Sequence, residues 1–287
     1  MYKLNNICVL AIILILLNSC NDLPTPDKHD AKVLNSLIIP TSIDSVGRIH
    51  NEIVDFYKSQ YQTKINDRFY SQNGISYITM PGYQNMIHSV KDYLVNYLKY
   101  DSNIVDYGIS NFENIQNQLG TFCSINSVLY YKITKNYKNI VNYLYNNQMI
   151  NPETYNYVVP IYIDSFPGVS CNASTYIQNI IGSQSPTWNN IELAKYISIY
   201  NHSNDLWNDS ILKLKNPNQP LPCGLNPNQA IIAADALGSL MGAYAGGLGS
   251  IIAGALMSMA EAEDQENHCS ILVGSEYPES RYYIKKK

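Results

Sequence analysis

A row of small residues between Asn226 and Ala262 constrains the fold more than any other feature of the sequence. In this segment Ala, Gly or Ser recurs at every fourth position. The row comprises Ala230, Ala234, Gly238, Gly242, Gly246, Ser250, Gly254, Ser258 and Ala262. Because four residues make slightly more than one turn of an α-helix, the row predicts a helix with a groove free of large side chains. Another helix can approach such a groove backbone to backbone.

The same segment carries the signals that begin a helix. Asn226 is a favourable cap, Pro227 suits the first helical position, and Gln229 stands three residues after the cap. Each glycine costs about 0.8–1 kcal/mol relative to alanine inside a helix, so the segment needs a packing partner. We predict one unbroken glycine-zipper helix over residues 226–262, roughly 54 Å long. A break at the adjacent glycines 246–247, which would give a hairpin, is the alternative.

This helix has two possible surroundings, the protein's own core or a membrane. Residues 236–260 form a stretch without a charged side chain, and this stretch is long enough to span a bilayer. Gly, Ala and Ser, however, contribute little transfer free energy. Asp235 precedes the stretch and acids follow it, while no Lys or Arg lies within about ten residues of the helix to set a membrane topology. We therefore expect burial in the protein's own core, with membrane insertion as the alternative.

Apolar residues recur at helical spacing through most of the remaining chain. The first such pattern predicts an amphipathic helix from about Ile43 to Gln60. A later one predicts a helix through Phe122, Ile125, Val128, Leu129 and Ile133. The run 75–80, bracketed by turn signals, is either a strand or a connector. Since alternating strand patterns are scarce, we predict an all-α fold: a helical bundle packed around the glycine-zipper helix near the C-terminus.

The N-terminus is typical of an export signal. Lys3 precedes an apolar run, Ile7–Leu17, that suits a secretory signal and is too short to span a membrane. The sequence Leu-Asn-Ser-Cys at 17–20 resembles a bacterial lipobox, which implies that Cys20 is the lipid-modified first residue of the mature protein. An ordinary cleaved signal or an uncleaved anchor is the alternative.

These features divide the chain into three parts. We assign residues 1–19 to a lipoprotein signal peptide, 20–42 to a polar tether and 43–287 to a single helical domain. The protein is expected outside the cytoplasm, attached to the membrane through its lipid anchor at the outer membrane or cell surface. Cleavage removes one charged residue, Lys3, and takes the net charge from −4 to −5. Because an acidic chain has no basic face for phosphates, we expect no nucleic-acid partner.

Four cysteines are left once the signal peptide and Cys20 are set aside: Cys123, Cys171, Cys223 and Cys269. An even number outside the cytoplasm predicts two disulfides, with three possible pairings. If the helix 226–262 is unbroken, the chain on either side of it is too short to bring Cys223 to Cys269. Each of these two is then expected to bond Cys123 or Cys171. Because Cys-x-x-Cys and Cys/His clusters are lacking, we expect no metal.

Two short motifs stand out among the polar residues. Residues 47–51 read Gly-Arg-Ile-His-Asn, and residues 235–238 read Asp-Ala-Leu-Gly. Together they resemble exported lipoproteins of Bacteroidota that carry a Gly-x-x-His-Asn element and a C-terminal glycine-rich helix, a group with no established activity. The resemblance implies a candidate polar site at His50, Asn51 and Asp55. A His–Asn pair that is packed and hydrogen-bonded inside the bundle is the alternative.

Signatures of common enzyme sites are lacking. The sequence has no Gly-x-Ser-x-Gly elbow, phosphate loop, His-Glu-x-x-His motif or calcium loop, and its five histidines have no ligand spacing. We therefore assign no catalytic residue and expect no cofactor. The acids after the glycine-rich segment, Glu261, Glu263, Asp264 and Glu266, are expected to be solvated.

Three functions follow as hypotheses. The first is a cell-envelope lipoprotein that acts by binding a protein or small molecule that the sequence does not identify. The second is a membrane-active protein, because glycine-zipper helices are similar to those of bacteriocin-like and pore-forming peptides. The third is an enzyme with a site assembled from distant residues.

Overall fold

The structure is a computed structural model that describes most of the chain after residue 41. The described ranges are 42–60, 69–72, 75–125, 127–133, 136–164, 168–182, 190–208 and 227–274, with the backbone alone at 69–72, 75–76, 227 and 266–274. The predictions for Cys20, most of the tether, Cys223 and the side chain of Cys269 lie outside the described residues.

The described chain is mainly helical, with one small sheet. The helices are α1 (Ile43–Gln60), α2 (Met80–Lys91), α3 (Ser102–Gln118), α4 (Tyr137–Asn146), α5 (Pro152–Val158), α6 (Ala173–Gly182), α7 (Ile191–Asn208), α8 (Pro227–Gly242) and α9 (Gly246–Gly274). The strands are β1 (Phe69–Gln72), β2 (Ile75–Thr79), β3 (Phe122–Ile125) and β4 (Val128–Lys132), antiparallel in the order β1-β2-β4-β3. The prediction of an all-α bundle around a glycine-rich helical segment is confirmed.

Side-chain caps set where several helices begin. Asn151 accepts a hydrogen bond from the backbone N–H of Thr154 at 2.8 Å, and Pro152 occupies the first helical position. Asp101 accepts from the backbone N–H of Asn103 at 2.8 Å before α3. These contacts satisfy backbone donors that a helix start leaves without an intrahelical partner.

The glycine-rich segment is a hairpin rather than the straight rod predicted above. Helix α8 ends at Gly242, a 3-10 turn occupies Ala243–Ala245, and α9 starts at Gly246. Gly246 has φ 82° and ψ −163°, a conformation that essentially only glycine adopts. The prediction of an unbroken helix over 226–262 is therefore wrong, because one glycine of the row forms the turn and lies outside the groove.

The partner of the small-residue groove is the other arm of the same hairpin. A Cβ atom added to Gly238 would lie 2.5 Å from the carbonyl oxygen of Ala253 and 2.8 Å from the Cα of Gly254. Nearer the turn, Gly242 and Gly249 face each other so closely that a Cβ on either would overlap the other's backbone carbonyl. The α8–α9 hairpin therefore closes by backbone contact, at sites with no room for a methyl group.

Other helices form a shell around this hairpin. Helix α7 packs on α8, while α1 and α3 pack on α9, and α2 and α4 complete the cover. The remaining groove residues are buried: Ala234, Ser250 and Ser258 are each 0% exposed. The segment Asn228–Gln265 is long and apolar enough to cross a membrane, and 83% of its most apolar window is buried inside the bundle.

The helix predicted through Phe122–Ile133 is wrong. Strands β3 and β4 form a tight hairpin there, in which Ile125 pairs with Val128. Ser127, one of the two connecting residues, has φ 68°. The error arose because a short apolar run with a β-branched residue and tyrosines fits either periodicity. Of the run 75–80, Ile75–Thr79 forms strand β2, which pairs with β1 and β4, and Met80 begins α2.

The cysteine prediction also needs correction. Cys123 has a free thiol, so it does not bond Cys223 or Cys269. Cys171 is disulfide-bonded to a cysteine outside the described side chains. The distance that disfavoured a Cys223–Cys269 bond was the length of a straight helix, and the chain turns back at Gly246.

We predict that Gly238→Ala lowers the free energy of unfolding by about 1–3 kcal/mol, because the new methyl group overpacks the contact with α9. Urea unfolding of the two proteins measures this difference. Gly182→Ala is the matched control, because Gly182 is exposed at the end of α6 and an added Cβ there meets no atom within 4 Å. Equal stability of Gly238→Ala and the wild type would contradict the closed groove.

Candidate functional site

The two motifs singled out in the sequence meet inside the fold. At Gly47, α1 crosses α7 so closely that the Gly47 N–H donates to the Ser198 hydroxyl at 3.1 Å, and an added Cβ would lie 2.5 Å from the His202 ring. One turn later, this crossing brings His50 against the hairpin. The Nε2 atom of His50 lies 3.8 Å from Oδ2 of Asp235, and both side chains are 0% exposed.

Two residues of α7 complete the surroundings of Asp235. The Ser203 hydroxyl and the Trp207 indole N–H, the latter at 3.2 Å, both donate to Oδ2. Ser258 of α9 lies beside the same carboxyl group. We call His50, Ser203, Trp207, Asp235 and Ser258 the buried polar cluster. It joins α1, α7, α8 and α9.

Gly254 leaves the space that the imidazole ring of His50 occupies. A Cβ added at Gly254 would lie 3.1 Å from Cδ2 of His50 and 3.0 Å from Cδ1 of Ile199. This member of the small-residue row therefore faces the shell and accommodates a ring. Among the described residues, Nε2 of His50, Oδ1 of Asp235 and Oγ of Ser258 make no hydrogen bond of good geometry.

Burial drives both ionisable members of the cluster to their neutral forms. It raises the pKa of Asp235 from 3.8 to about 8, although the nearby Ser203, Ser258 and Trp207 oppose the shift. Burial also lowers the pKa of His50 from 6.5 to about 4, against the opposing effects of Asn51 and the Gly254 backbone. At neutral pH the pair is therefore a carboxylic acid next to an uncharged imidazole.

Asn51 fixes the orientation of the histidine. The Oδ1 atom of Asn51 lies 3.0 Å from Nδ1 of His50, while its amide donates to the carbonyl of His202 at 2.6 Å. This pairing assigns the imidazole proton to Nδ1 and leaves Nε2 as an acceptor toward Asp235. The third predicted site residue, Asp55, lies on the exposed face of α1 and is not part of the cluster.

The cluster lacks the arrangement of a catalytic triad. Ser203 donates to the acid, so the histidine is not placed to take its proton. Its ionisable and nucleophilic members are also fully buried, which leaves a substrate no access in this conformation. Among the described residues, no group of three His, Cys, Asp or Glu side chains could hold a metal ion. The arrangement ties four helices together and holds a proton.

Three of the four acids expected to be solvated, Glu261, Glu263 and Asp264, are buried, while the side chain of Glu266 lies outside the described residues. Glu261 accepts hydrogen bonds from the Tyr137 hydroxyl and, at 2.6 Å, from the Gln265 amide. Glu263 accepts from the Tyr57 hydroxyl at 2.8 Å. Asp264 is 0% exposed. The expectation failed because α9 continues to Gly274 and the shell covers these positions.

A second place of chemical interest lies on the surface, where α2 ends. Tyr93 and Tyr97 stack with ring centroids 5.7 Å apart and planes 13° apart, and Phe56 of α1 packs against both. Tyr97 is 64% exposed. We call Phe56, Tyr93 and Tyr97 the aromatic ledge.

Charged and irregular features coincide at the ledge. The Tyr93 hydroxyl donates to Glu52 at 3.0 Å, and Glu52 pairs with Arg48 at 2.5 Å. Partial burial, the hydrogen bond and the charge of Glu52 raise the pKa of Tyr93 to about 12. The backbone is a π-helix over Asp92–Tyr97, and Lys99 follows with φ 60°. π-Helices and strained residues occur often at functional sites.

Sequence analysis missed Ser203, Trp207 and the ledge. The spacing of Ile199, Ser203 and Trp207, four residues apart, places a polar side chain on an apolar helix face. That pattern was a usable signal for a buried partner. The ledge has no distinct sequence signal, because Tyr93 and Tyr97 fit the spacing of apolar residues on a helix.

Comparison with known proteins adds no relative. No family model, curated protein or solved structure matches this chain. The resemblance to Bacteroidota lipoproteins therefore stays a prediction.

We predict a specific pH dependence of stability from the buried pair. Between about pH 4 and 6.5, folded Asp235 keeps a proton that the unfolded chain has lost, while unfolded His50 gains one that the folded chain lacks, so the two effects oppose each other. Between about pH 6.5 and 8 Asp235 acts alone, so the free energy of unfolding falls by about 1.4 kcal/mol per pH unit as pH rises.

Asp235→Asn should remove this fall, which urea unfolding at a series of pH values measures. Asp106→Asn is the control, because Asp106 forms an exposed ion pair with Lys91 at 2.7 Å. The control should keep the wild-type pH profile. If Asp235→Asn has the same profile as the wild type, the buried carboxyl is not protonated as inferred.

Proposed function

We propose that the protein is an exported lipoprotein of the cell envelope, anchored through Cys20, and that its helical bundle acts by binding a ligand at the aromatic ledge. The observation that carries the binding function is Tyr97, a large aromatic side chain that is 64% exposed yet held by its stacking on Tyr93. Because a ring held in place loses little conformational entropy on binding, it is a favourable contact surface.

The groups around the ledge favour a ligand with a flat apolar face and a polar edge. The free face of Tyr97 can pack against C–H groups, as aromatic rings do at interfaces. Arg48 and Glu52, whose side chains are 53% and 32% exposed, supply a planar donor group and an acceptor beside the rings. Since a sugar ring offers both a C–H face and hydroxyl groups, we propose a saccharide ligand.

Burial of the polar cluster supports binding over catalysis at that place. The carboxyl, imidazole and hydroxyl groups that chemistry would use are fully covered, whereas the ledge meets solvent. The charges near the ledge disfavour an anionic ligand, because two acids, Glu52 and Asp55, and one base, Arg48, surround Tyr93.

The ligand proposal predicts that Tyr97→Ala weakens binding about tenfold, on the order of 1.4 kcal/mol, because it removes the exposed stacking face. Calorimetric titration with soluble glucans and mannans measures the effect. Tyr145→Ala is the matched control, because Tyr145 is also exposed and its ring stacks on that of Tyr155, with the ring centroids 4.2 Å apart. If no saccharide binds, or if both variants lose equally, the proposal fails. Binding of a proline-rich peptide instead would assign the ledge to peptides.

The anchor proposal predicts that Cys20→Ala abolishes lipid labelling. Cells fed a palmitate analogue should label the wild-type protein and leave the variant unlabelled. Detergent extraction should then find the wild type in the membrane fraction and the variant in the soluble fraction. Equal labelling of the two proteins would contradict the lipobox assignment, and it would leave the binding test at the ledge unaffected.

A further inference from the structure

The hairpin and its shell differ in the charge they bring to their contact. Between Asn228 and Gln265 the hairpin carries four ionisable acids, and all are buried: Asp235, Glu261, Glu263 and Asp264. The shell contributes His50 of α1, which lies against Asp235, and a second buried base, Lys195 of α7, whose pKa burial lowers. Acid pH therefore removes charge from the hairpin and adds charge to the shell.

The acids also supply ties between the hairpin and its shell. Asp235 is held by Ser203 and Trp207 of α7, Glu261 by Tyr137 of α4, and Glu263 by Tyr57 of α1. Hydrogen bonds to a carboxylate are about twice as strong as those between neutral groups. The contacts of Glu261 and Glu263 are therefore strongest when these two groups are carboxylates, while Asp235 is already neutral.

The other titratable groups that face this contact do not counter the change. Tyr131, Tyr162 and Tyr196 have pKa values raised by burial, so their hydroxyls stay neutral throughout acid titration. The Lys58 ammonium lies 4.1 Å from the Trp207 ring centroid. His202, half-buried beside Asp44, contributes to lowering the pKa of His50.

The contact that closes the hairpin does not depend on the shell. The inner contact, Gly238 with Ala253 and Gly242 with Gly249, involves both arms and no shell residue. Close contact through small residues is also how helices associate in lipid. Large apolar side chains occupy other positions of the arms: Ile231, Ile232, Leu237, Leu240, Leu248, Ile251, Ile252, Leu256 and Met257.

Helix α9 matches a bilayer in length, while α8 is somewhat shorter, a mismatch that local thinning of the bilayer accommodates. At about 1.5 Å per residue, α8 is roughly 24 Å long, and α9 as far as Gln265 is roughly 30 Å. The hydrocarbon core is about 30 Å thick. When its acids are protonated, the hairpin can cross it with the turn Ala243–Ala245 at the far side.

We propose that acidification releases the α8–α9 hairpin from its shell and inserts it, turn first, into a lipid bilayer. The partner is the hydrocarbon core of the membrane. The charge on His50 drives α1 away from the contact at Gly254 as the hairpin loses its own charges. This activity is independent of ligand binding at the ledge.

The test uses the full chain and phosphatidylcholine vesicles that contain a minor fraction of phosphatidylglycerol and a self-quenching dye. Dye release should be low at neutral pH and should rise steeply as the pH approaches about 4, where His50 becomes charged. Release that is equal at both pH values, or absent at both, overturns the proposal.

Ala245→Arg separates insertion of the hairpin from adsorption of an acid-unfolded chain. Ala245 lies in the turn and is half-buried, so an arginine there has access to solvent in the folded state but must cross the bilayer on insertion. We expect dye release to slow at least about tenfold. Ile191→Arg is the matched control, because it adds the same charge at a 61% exposed position of α7, and it should release dye like the wild type. Equal release by the two variants overturns the proposal.

His50→Gln tests the part played by the shell. Glutamine keeps hydrogen-bonding groups at this place but does not become charged, so the midpoint of dye release should move to lower pH. Circular dichroism at neutral pH establishes that the variant is folded. A midpoint that is unchanged or higher contradicts the role of His50.

Discussion

The backbone contact between Gly242 and Gly249 is the constraint on which the rest of the structure depends. Only glycine allows the two arms to approach this closely, and only Gly246, with its φ of 82°, allows the chain to turn there. Because the contact between the two arms has no room for large side chains, these side chains occupy the other faces of the hairpin. There they pack against α1, α3 and α7. The loss of helix propensity at the glycines is thus offset by burial of the hairpin on all sides.

The buried polar cluster is the second determinant of the fold. A carboxyl group without solvent costs several kcal/mol if charged, and the fold responds by keeping Asp235 protonated with hydrogen bonds from Ser203 and Trp207. These contacts fix the register of α7 on α8, since a shift of one residue would leave the carboxyl group unmatched. Tyrosine serves the same purpose in the second half of α9, where the hydroxyls of Tyr57 and Tyr137 donate to Glu263 and Glu261. The many tyrosines of the chain thus provide core volume and donors together.

The features that follow from local spacing could be predicted from the sequence. The features that depend on contacts between distant residues could not. The helical class, α1, the helix start at Pro227 and burial of the glycine row followed from spacing and caps. The turn at Gly246 did not, because a row of glycines specifies close approach without saying whether the partner is another helix or its own continuation. The helix predicted at 122–133 failed because β3 is specified by its pairing with β4. His50 and Asp235 were each noticed, but their contact depends on the hairpin that sequence analysis treated as the alternative.

The proton on Asp235 connects stability with the proposed membrane activity. A hairpin whose central acid were ionised in the bundle would have to neutralise that charge before entering lipid, where a charged side chain is costly. Burial beside His50 has already made this carboxyl neutral in the folded protein. The other acids of the hairpin, Glu261, Glu263 and Asp264, lie more than a dozen residues after the turn, in the second half of α9, so the part of the hairpin that would enter first contains none of them. The arrangement that lets an acid exist inside the bundle is therefore the same one that lowers the barrier for the hairpin to leave it.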